Sequence, residues 1–445
     1  MKFLPHMLPT PIITALALAL SMPAGAQSLI ELHAAARGYD AAYQSAKSNL
    51  EAAQAKAAQA RAALYPTAGL VMDSSRTNLV NRVEGAPKSE STYGTNSATV
   101  SGKQPLYNPA NAIGATQGSK GVEVAQAQLL AAEQDVIMRV SQAYFDVLAS
   151  QDSLTFVKAQ KTAVAEQLAS AKRNFEVGTS TITDTREAQA KYDLVIAQEI
   201  AAENDLRIKR LALDQLVGKP DSQPKPLALP VALPALQPAN VDEWVQQAQN
   251  THPDIVRAKL GLELARLDTD KARSGHLPTL DLYGNYRLGQ NNGSSAGPTD
   301  SRSNSATIGL TLNIPLFAGF AVQNRIKETL ALEDKASTDL LSAQRAVAQG
   351  TRTAYFGVLS GQGQVKALEA AETSSQSALD ATKLGYQVGV RINIDVLNAQ
   401  SALFQTKRDL AKARYDVLLT GLKLRQASGT LKAEDLGPVN ALFAP

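Results

Sequence analysis

The chain states its plan twice. Ala143-Tyr144-Phe145-Asp146-Val147-Leu148 returns as Ala354-Tyr355-Phe356-Gly357-Val358-Leu359, 211 residues later. At the same offset Val177-Gly178 returns as Val388-Gly389, Asp184 as Asp395, Ala188-Gln189 as Ala399-Gln400 and Gly218 as Gly429. Leu64-Tyr65-Pro66-Thr67 against Leu277-Pro278-Thr279, and Pro105-Leu106-Tyr107 against Pro315-Leu316-Phe317, follow within a residue of this register. A chain of 445 residues would ordinarily divide into two or three domains. A repeat of this length instead requires two equivalent halves of one body. Pseudo-symmetry of that kind suits a function organised around an axis rather than in a pocket.

Composition narrows the setting. Lys2, the apolar stretch Ile12 to Leu20 and Ala24-Gly25-Ala26 read as a secretory signal peptide over residues 1–26. The rest has no run of 18 apolar residues, and the whole chain's mean hydropathy is −0.15, which excludes an α-helical inner-membrane protein but not a β-barrel. Cysteine is absent, so disulfides, thiolate metal sites, cysteine nucleophiles and an acylated Cys at position 27 are all ruled out. The 44 basic and 41 acidic residues form no stripe or tail that would suit nucleic acid. Few aromatics and abundant Ala, Gln, Leu, Lys and Arg point to long, closely packed helices.

Each half reads helix, hairpin, long helix, turn, returning helix. The first helices span roughly Ser28 to Ala63 and Val241 to Arg273, ending before Pro66 and Pro278. The pattern then changes period. Leu280, Leu282, Tyr286 and Leu288 share one face while Asp281, Tyr283, Asn285 and Arg287 share the other, and Thr307 to Ile314 alternate strictly. Period-two alternation predicts strands. The first copy carries weaker counterparts at 67–76 and 96–107. A strand of about ten residues, apolar on one face, is what a tilted transmembrane strand requires. A small soluble sheet packed on a helix fits these strands as well, and the signal peptide favours the membrane. Four strands cannot close a membrane barrel, because closed barrels begin at about eight; two or three copies of the chain would be needed.

From Asn111 to Val177 and from Phe320 to Val388 no proline interrupts the chain. Helices of that length would reach about 100 Å. Val140, Tyr144, Val147, Leu154, Val157, Val164, Leu168, Ala171 and Phe175 recur at coiled-coil steps. Each long helix stops at a glycine turn, Val177-Gly178 or Val388-Gly389, and a second helix returns over roughly Thr183 to Val217 and Asp395 to Ala427, with Thr181 and Asn393 as candidate caps. Gly218 to Asn240, holding six prolines, reads as an extended connector, and Leu436 to Pro445 as an irregular tail.

Little in the chain suggests bond-making chemistry. His33, His252 and His276 lack metal-ligand spacing, and Gly361-Gln362-Gly363 lacks the third glycine of a nucleotide loop. No cofactor, metal or enzymatic activity is expected. Asp184 and Asp395 stand in the first turns of the two returning helices, where a carboxylate favours the helix dipole. If the tips converge on an axis, the same carboxylates from several copies would form a cation-selecting ring. Both readings are open on the residues alone.

Gly275-His276-Leu277-Pro278-Thr279-Leu280-Asp281-Leu282, Gly385-Tyr386-Gln387-Val388-Gly389-Val390-Arg391, Asp395-Val396-Leu397-Asn398-Ala399-Gln400, Ala413-Arg414-Tyr415-Asp416 and the repeat itself resemble the TolC family of bacterial outer-membrane export channels. The resemblance implies a mainly α protein with a transmembrane β-barrel: a homotrimer whose four strands per protomer build a shared twelve-stranded barrel in outer-membrane lipid, continued by coiled-coil hairpins as an α-barrel through the periplasm of a Gram-negative bacterium. It divides the chain into a signal peptide (1–26), a first repeat (27–217, hairpin about 64–107), an equatorial connector (218–240), a second repeat (241–435, hairpin about 277–316) and a tail (436–445). It implies export of drugs or proteins delivered by a periplasmic adaptor (membrane fusion protein) and an inner-membrane ABC or RND transporter. Asp395 would stand in the periplasmic constriction, with Asn398 where the family has a second acid. Tyr386 and Arg391 would latch to Asp184 and Thr183, and Val177-Gly178 and Val388-Gly389 would dock the adaptor. The rival from another class is a periplasmic coiled-coil adaptor or spacer, which leaves the strand hairpins unexplained.

Overall fold

The computed structural model describes residues 26–85, 87–228, 231, 233–294 and 299–444. The signal-peptide assignment falls, Ala26 apart, outside the described residues. The order is α1 (Leu29–Tyr39), α2 (Ala41–Ala62), β1 (Thr67–Asn81), β2 (Ser89–Tyr107), α3 (Pro109–Glu176), α4 (Ile182–Val217), α5 (Val241–Thr251), α6 (Pro253–Arg273), β3 (Thr279–Asn292), β4 (Ser301–Asn313), α7 (Ala321–Gln387), α8 (Asn393–Ala427) and α9 (Leu436–Asn440). The helix–hairpin–helix–helix plan is thus present twice.

The expected single helices ahead of each hairpin are each two. Asp40 adopts extended backbone (ψ 117°), and its carboxylate accepts from the Tyr43 amide at 2.8 Å, capping α2. In the second copy Pro253 opens α6 and His252 breaks the chain, its Nδ1 accepting from the Asp254 amide at 3.2 Å. The apolar periodicity runs across both breaks, which is why the sequence reads as one helix each time.

The four strands form one antiparallel sheet in the order β1-β2-β3-β4. Its register sorts the side chains. Leu70 lies opposite Val100, which lies opposite Tyr286; Met72 lies opposite Ala98 and then Leu288; Leu282 and Leu280 face Leu310 and Leu312. All of these share one face. The other carries Thr99, Ser101, Asn285, Arg287, Ser305 and Thr307, with Lys103 paired to Asp281 at 2.9 Å. Val100, Leu288, Ile308, Leu310 and Leu312 are all exposed on this chain, as the lipid face of a barrel wall requires. The strands exceed the expected ranges, at 15, 19, 14 and 13 residues, so the hairpins project beyond a bilayer that about ten tilted residues cross. Pro66 and Pro278 directly precede β1 and β3, and Pro105 lies where β2 has outrun β1 and its register with β3 shifts, the strand starts and irregularities where sheets tolerate proline.

α3 and α7, of 68 and 67 residues, are about 100 Å long at 1.5 Å per residue. Each folds back on its successor. The α3 stripe is buried as its spacing predicts from Val140 to Ala171, but Phe175 near the tip is exposed. Among the described residues no helix is long and apolar enough to cross a membrane.

The repeated Ala-Tyr-Phe motif acquires its physical reason at the waist of the molecule. Tyr144, fully buried, donates its hydroxyl toward the Lys225 and Gln27 carbonyls (3.2 and 3.3 Å) and accepts from the Lys225 amide at 3.0 Å. Tyr355 donates to the Ala239 carbonyl. Each copy's tyrosine therefore fastens one part of the proline-rich connector. The tail is not irregular. α9 and Phe443 join the main core, Phe443 standing 5.1 Å from the Tyr144 ring and 6.2 Å from that of Phe145, and the Ala228 amide donates to the Leu442 carbonyl at 2.9 Å. Removing the Tyr144 hydroxyl leaves the Lys225 amide only its longer bond to the Gln27 carbonyl at 3.2 Å, a loss of about 1 kcal/mol. Tyr144→Phe should therefore lower the thermal unfolding midpoint of the detergent-solubilised protein by about one to two degrees. Tyr39→Phe, an exposed control, should leave it unchanged.

Candidate functional site

The two glycine turns lie at one end of the molecule, far along the helices from the sheet. Gly178 and Gly389 both take φ of +78°, the left-handed conformation that ends a helix at low cost for glycine. Around them Val177, Val388 and Val390 are exposed at 72%, 66% and 78%. Each tip thus presents valine to solvent at the end of a rigid hairpin.

α4 begins with a closed capping box. The Thr181 hydroxyl accepts from the Asp184 amide at 3.2 Å, and the Asp184 carboxylate accepts from the Thr181 amide at 3.1 Å. The Ser180 hydroxyl also donates to that carboxylate at 2.6 Å, and it is the main reason the Asp184 carboxyl sits below its ordinary pKa. Thr183 is exposed beside it. α8 starts differently. Ile392 offers no side-chain cap, and Asn393, expected to cap, turns away from its own helix. Its amide is fully buried: Oδ1 accepts from Gln167 Nε2 of α3 at 2.5 Å, and Nδ2 donates to the Asp184 carbonyl of α4 at 3.1 Å.

The other predicted residues gather here without meeting as paired in sequence. Arg391 stands 3.6 Å from Asp395, its neighbour one turn on, and both side chains are solvated. The Tyr386 hydroxyl accepts from Asn174 Nδ2 at 3.3 Å. Neither Arg391 nor Tyr386 forms a hydrogen bond or ion pair with Asp184 or Thr183 inside one chain. Asn398 is exposed one turn beyond Asp395 on the same side of α8. The Asn393 link went unread because its partners are distant in sequence; the signal was available, since Asn393 replaces Ile182 of the first copy. Among the described residues no group of three or more His, Asp or Glu could hold a metal ion. The open architecture, a sheet with one apolar face at one end and solvent-exposed valine turns at the other, defines a membrane-seated conduit wall rather than an active-site cleft.

The chain belongs to the outer membrane efflux protein family, whose model matches it twice, over residues 32–219 and 244–430. It is 34% identical over 423 residues, 95% of each chain, to the outer membrane protein TolC of Vibrio cholerae serotype O1. It is 29% identical over 411 residues, covering 91% of this chain and 85% of the relative, to the alkaline protease secretion protein AprF of Pseudomonas aeruginosa. The fold is that of the outer membrane protein VceC of Vibrio cholerae (TM-score 0.76, 19% identity, 90% of this chain and 96% of that one). It is also that of the CmeC outer membrane channel of Campylobacter jejuni (TM-score 0.77, 16% identity, 94% and 90%). The chain is an outer-membrane protein of the TolC type, with its sheet in the membrane and its helices reaching into the periplasm.

Loss of the α4 cap should act locally. Thr181→Ala should weaken the first turn of α4 by about 1 kcal/mol, seen as roughly fivefold faster exchange of the Asp184 and Thr185 amides, while the first turn of α8 exchanges as before.

Proposed function

We propose that three copies of this chain form an export duct, passing cargo from an energised inner-membrane transporter and its periplasmic adaptor to the outside. The observation that carries this is the open sheet: β1 and β4 are unpaired edges bearing lipid-facing side chains. Hydrocarbon tolerates no unpaired backbone donors and acceptors, so the edges must pair with other copies, and three copies supply twelve strands. The helices support the same closure. Leu194, Ile208 and Leu211 on α4 and Phe356 and Leu359 on α7 are exposed on the isolated chain, and neighbouring hairpins of an α-barrel would cover them. Phe356 makes the point sharply, because its repeat counterpart Phe145 is buried.

At the tips the proposed latch acts between protomers. The contact between Arg391 and Asp395 is long and solvated, worth at most about 1 kcal/mol, so Arg391 is free to turn to Asp184 of the partner subunit. There a charge-assisted bond, with the Tyr386 hydroxyl and Thr183 beside it, would hold neighbouring hairpins together. Asp395 from each copy would ring the constriction and Asn398 would leave that ring single. The exposed Val177-Gly178 and Val388-Gly389 turns would receive the adaptor. Relatives named for protease secretion and for efflux leave an ABC or an RND transporter as the source of cargo; the duct itself needs no cofactor and performs no catalysis. A soluble coiled-coil spacer has no use for a sheet with a lipid-facing side.

In planar lipid bilayers the wild-type protein should conduct poorly, and Asp184→Ala combined with Arg391→Ser should raise single-channel conductance several-fold. Unchanged conductance would remove the latch, and a complete absence of channels would remove the duct. Asp395→Ala should weaken block by multivalent cations added on the tip side; unaltered block would show that these carboxylates form no ring.

A further inference from the structure

We propose that Arg76 and Arg302 form a phosphate clamp on the lipid-facing side of the sheet, suited to a phosphorylated glycolipid of the outer leaflet. The role rests on the closed barrel proposed above, because the two arginines belong to opposite edges of the sheet. Register places them. Ser74 lies opposite Asn96, Asn96 opposite Gln290 and Gln290 opposite Arg302, so one polar row crosses the whole sheet on the face that carries Met72 and Leu288. Arg76 stands on the same face, two residues further out than Ser74. Gln290 is ten residues beyond Leu280, about 33 Å along the strand, or about 25 Å along the membrane normal at a tilt near 40°. That is the height of the apolar band on such barrels. The row therefore lies at its outer edge, where headgroups begin.

Charge on this face is confined to that end. Within the strands the face carries Arg76, Glu90 and Arg302 as its charged side chains. Glu90 pairs with Lys88, and the sheet's other ion pair among the described residues, Lys103 with Asp281, stands on the opposite face. Both arginines are exposed and neither joins an ion pair among the described residues. At the inner end the same face shows Ala68, Gly102, Ile308, Leu310 and Leu312, all uncharged. Anionic lipid in general would be met at either end of the sheet. A face that is cationic at the outer end alone complements a phosphorylated lipid confined to the outer leaflet. Arginine suits that partner, because its planar fork binds two phosphate oxygens at once and its stem lies along apolar surface while the head stays outside.

The row also edges a shallow depression of about 660 Å³, with Met72, Ala98 and Leu288 on its inner side and Ser74, Asn96 and Arg302 along its outer side. The Ser74 hydroxyl donates to Asn96 Oδ1 at 2.7 Å, which leaves the Asn96 Nδ2 donors for an acceptor from outside. Apolar surface below and donors with a cation above match an acylated chain below and a phosphorylated head above. Closing the barrel sets β4 of one copy against β1 of the next. Each seam then carries Arg302 on one side and Arg76 of the partner subunit on the other, and three copies give three such seams.

The test titrates the detergent-solubilised full chain with bisphosphorylated lipid A and counts bound lipid by native mass spectrometry. The wild type should bind up to three molecules per trimer. Arg76→Gln combined with Arg302→Gln should weaken binding about twentyfold, about fivefold for each arginine, with the trimer intact. Arg287→Gln removes an arginine from the opposite face of the same sheet and should leave binding unchanged. Should the double variant fail to assemble, Arg302→Gln alone reads the site through its fivefold loss. Lipid A stripped of both phosphates should bind the wild type as weakly as intact lipid A binds the double variant. Equal binding by wild type and arginine variants would overturn the clamp. So would a matching loss in Arg287→Gln, which would trace the effect to net charge, or phosphatidylglycerol competing as well as lipid A, which would make the contact a general one for anionic lipid. Trimers that bind no lipid A would overturn the clamp and leave the duct standing, whereas a chain that forms no trimer would overturn the closed barrel and the clamp with it.

Discussion

The unpaired edges of the four-stranded sheet govern the rest of this structure. A sheet with Leu70, Val100, Leu288 and Leu310 on one face belongs in lipid, and lipid offers nothing to the outer backbone groups of β1 and β4. Closure by further copies, as proposed, would meet that requirement, and it would fix the helices too. Each hairpin hands the chain directly to a helix of nearly seventy residues, so copies arranged in a ring at the membrane are arranged in a ring along the whole helical body. The exposed apolar residues of α4 and α7 stand where such neighbours would meet.

Between membrane and tip, the waist keeps the two halves in step. Tyr144 and Tyr355, the central residues of the repeated motif, bind the main chain of the connector through their hydroxyls. The connector has six prolines and little regular structure of its own, so its carbonyls and amides need partners from the helices. α9 and Phe443 close the same core from the other side, and Tyr415 of α8 donates to Asp152 of α3 at 2.7 Å. Burial raises the pKa of the Asp152 carboxyl, which strengthens its preference for a donor such as Tyr415. Helices this long would otherwise hold each other only through apolar stripes.

What the sequence made legible was local or repeated. Period-two alternation at Leu280 to Leu288 and Thr307 to Ile314 marked strands because the pleat alternates side chains whatever the fold around it. The glycine turns were visible because Gly178 and Gly389 meet a backbone demand that few other residues satisfy. The breaks at Asp40 and His252 were hidden by apolar residues that continue on both sides, although Pro253 and a capping Asp were there to be read. The order in the tail was hidden because its reason is Tyr144 and Phe145, some three hundred residues away. At the tips, the contact between Arg391 and Asp395 follows from four-residue spacing, whereas the link from Gln167 through Asn393 to Asp184 depends on how two hairpins pack. The repeat could locate the equivalent positions but not say which departures from symmetry carry a contact.

The most direct test of this account is the mass of the assembly extracted from outer membranes in mild detergent, measured by native mass spectrometry under conditions that preserve non-covalent contacts. Three copies of the chain are predicted, with no smaller species that retains the strands. A monomer with its sheet intact would contradict the account at its root, because the two open edges would then be stable in lipid without partners.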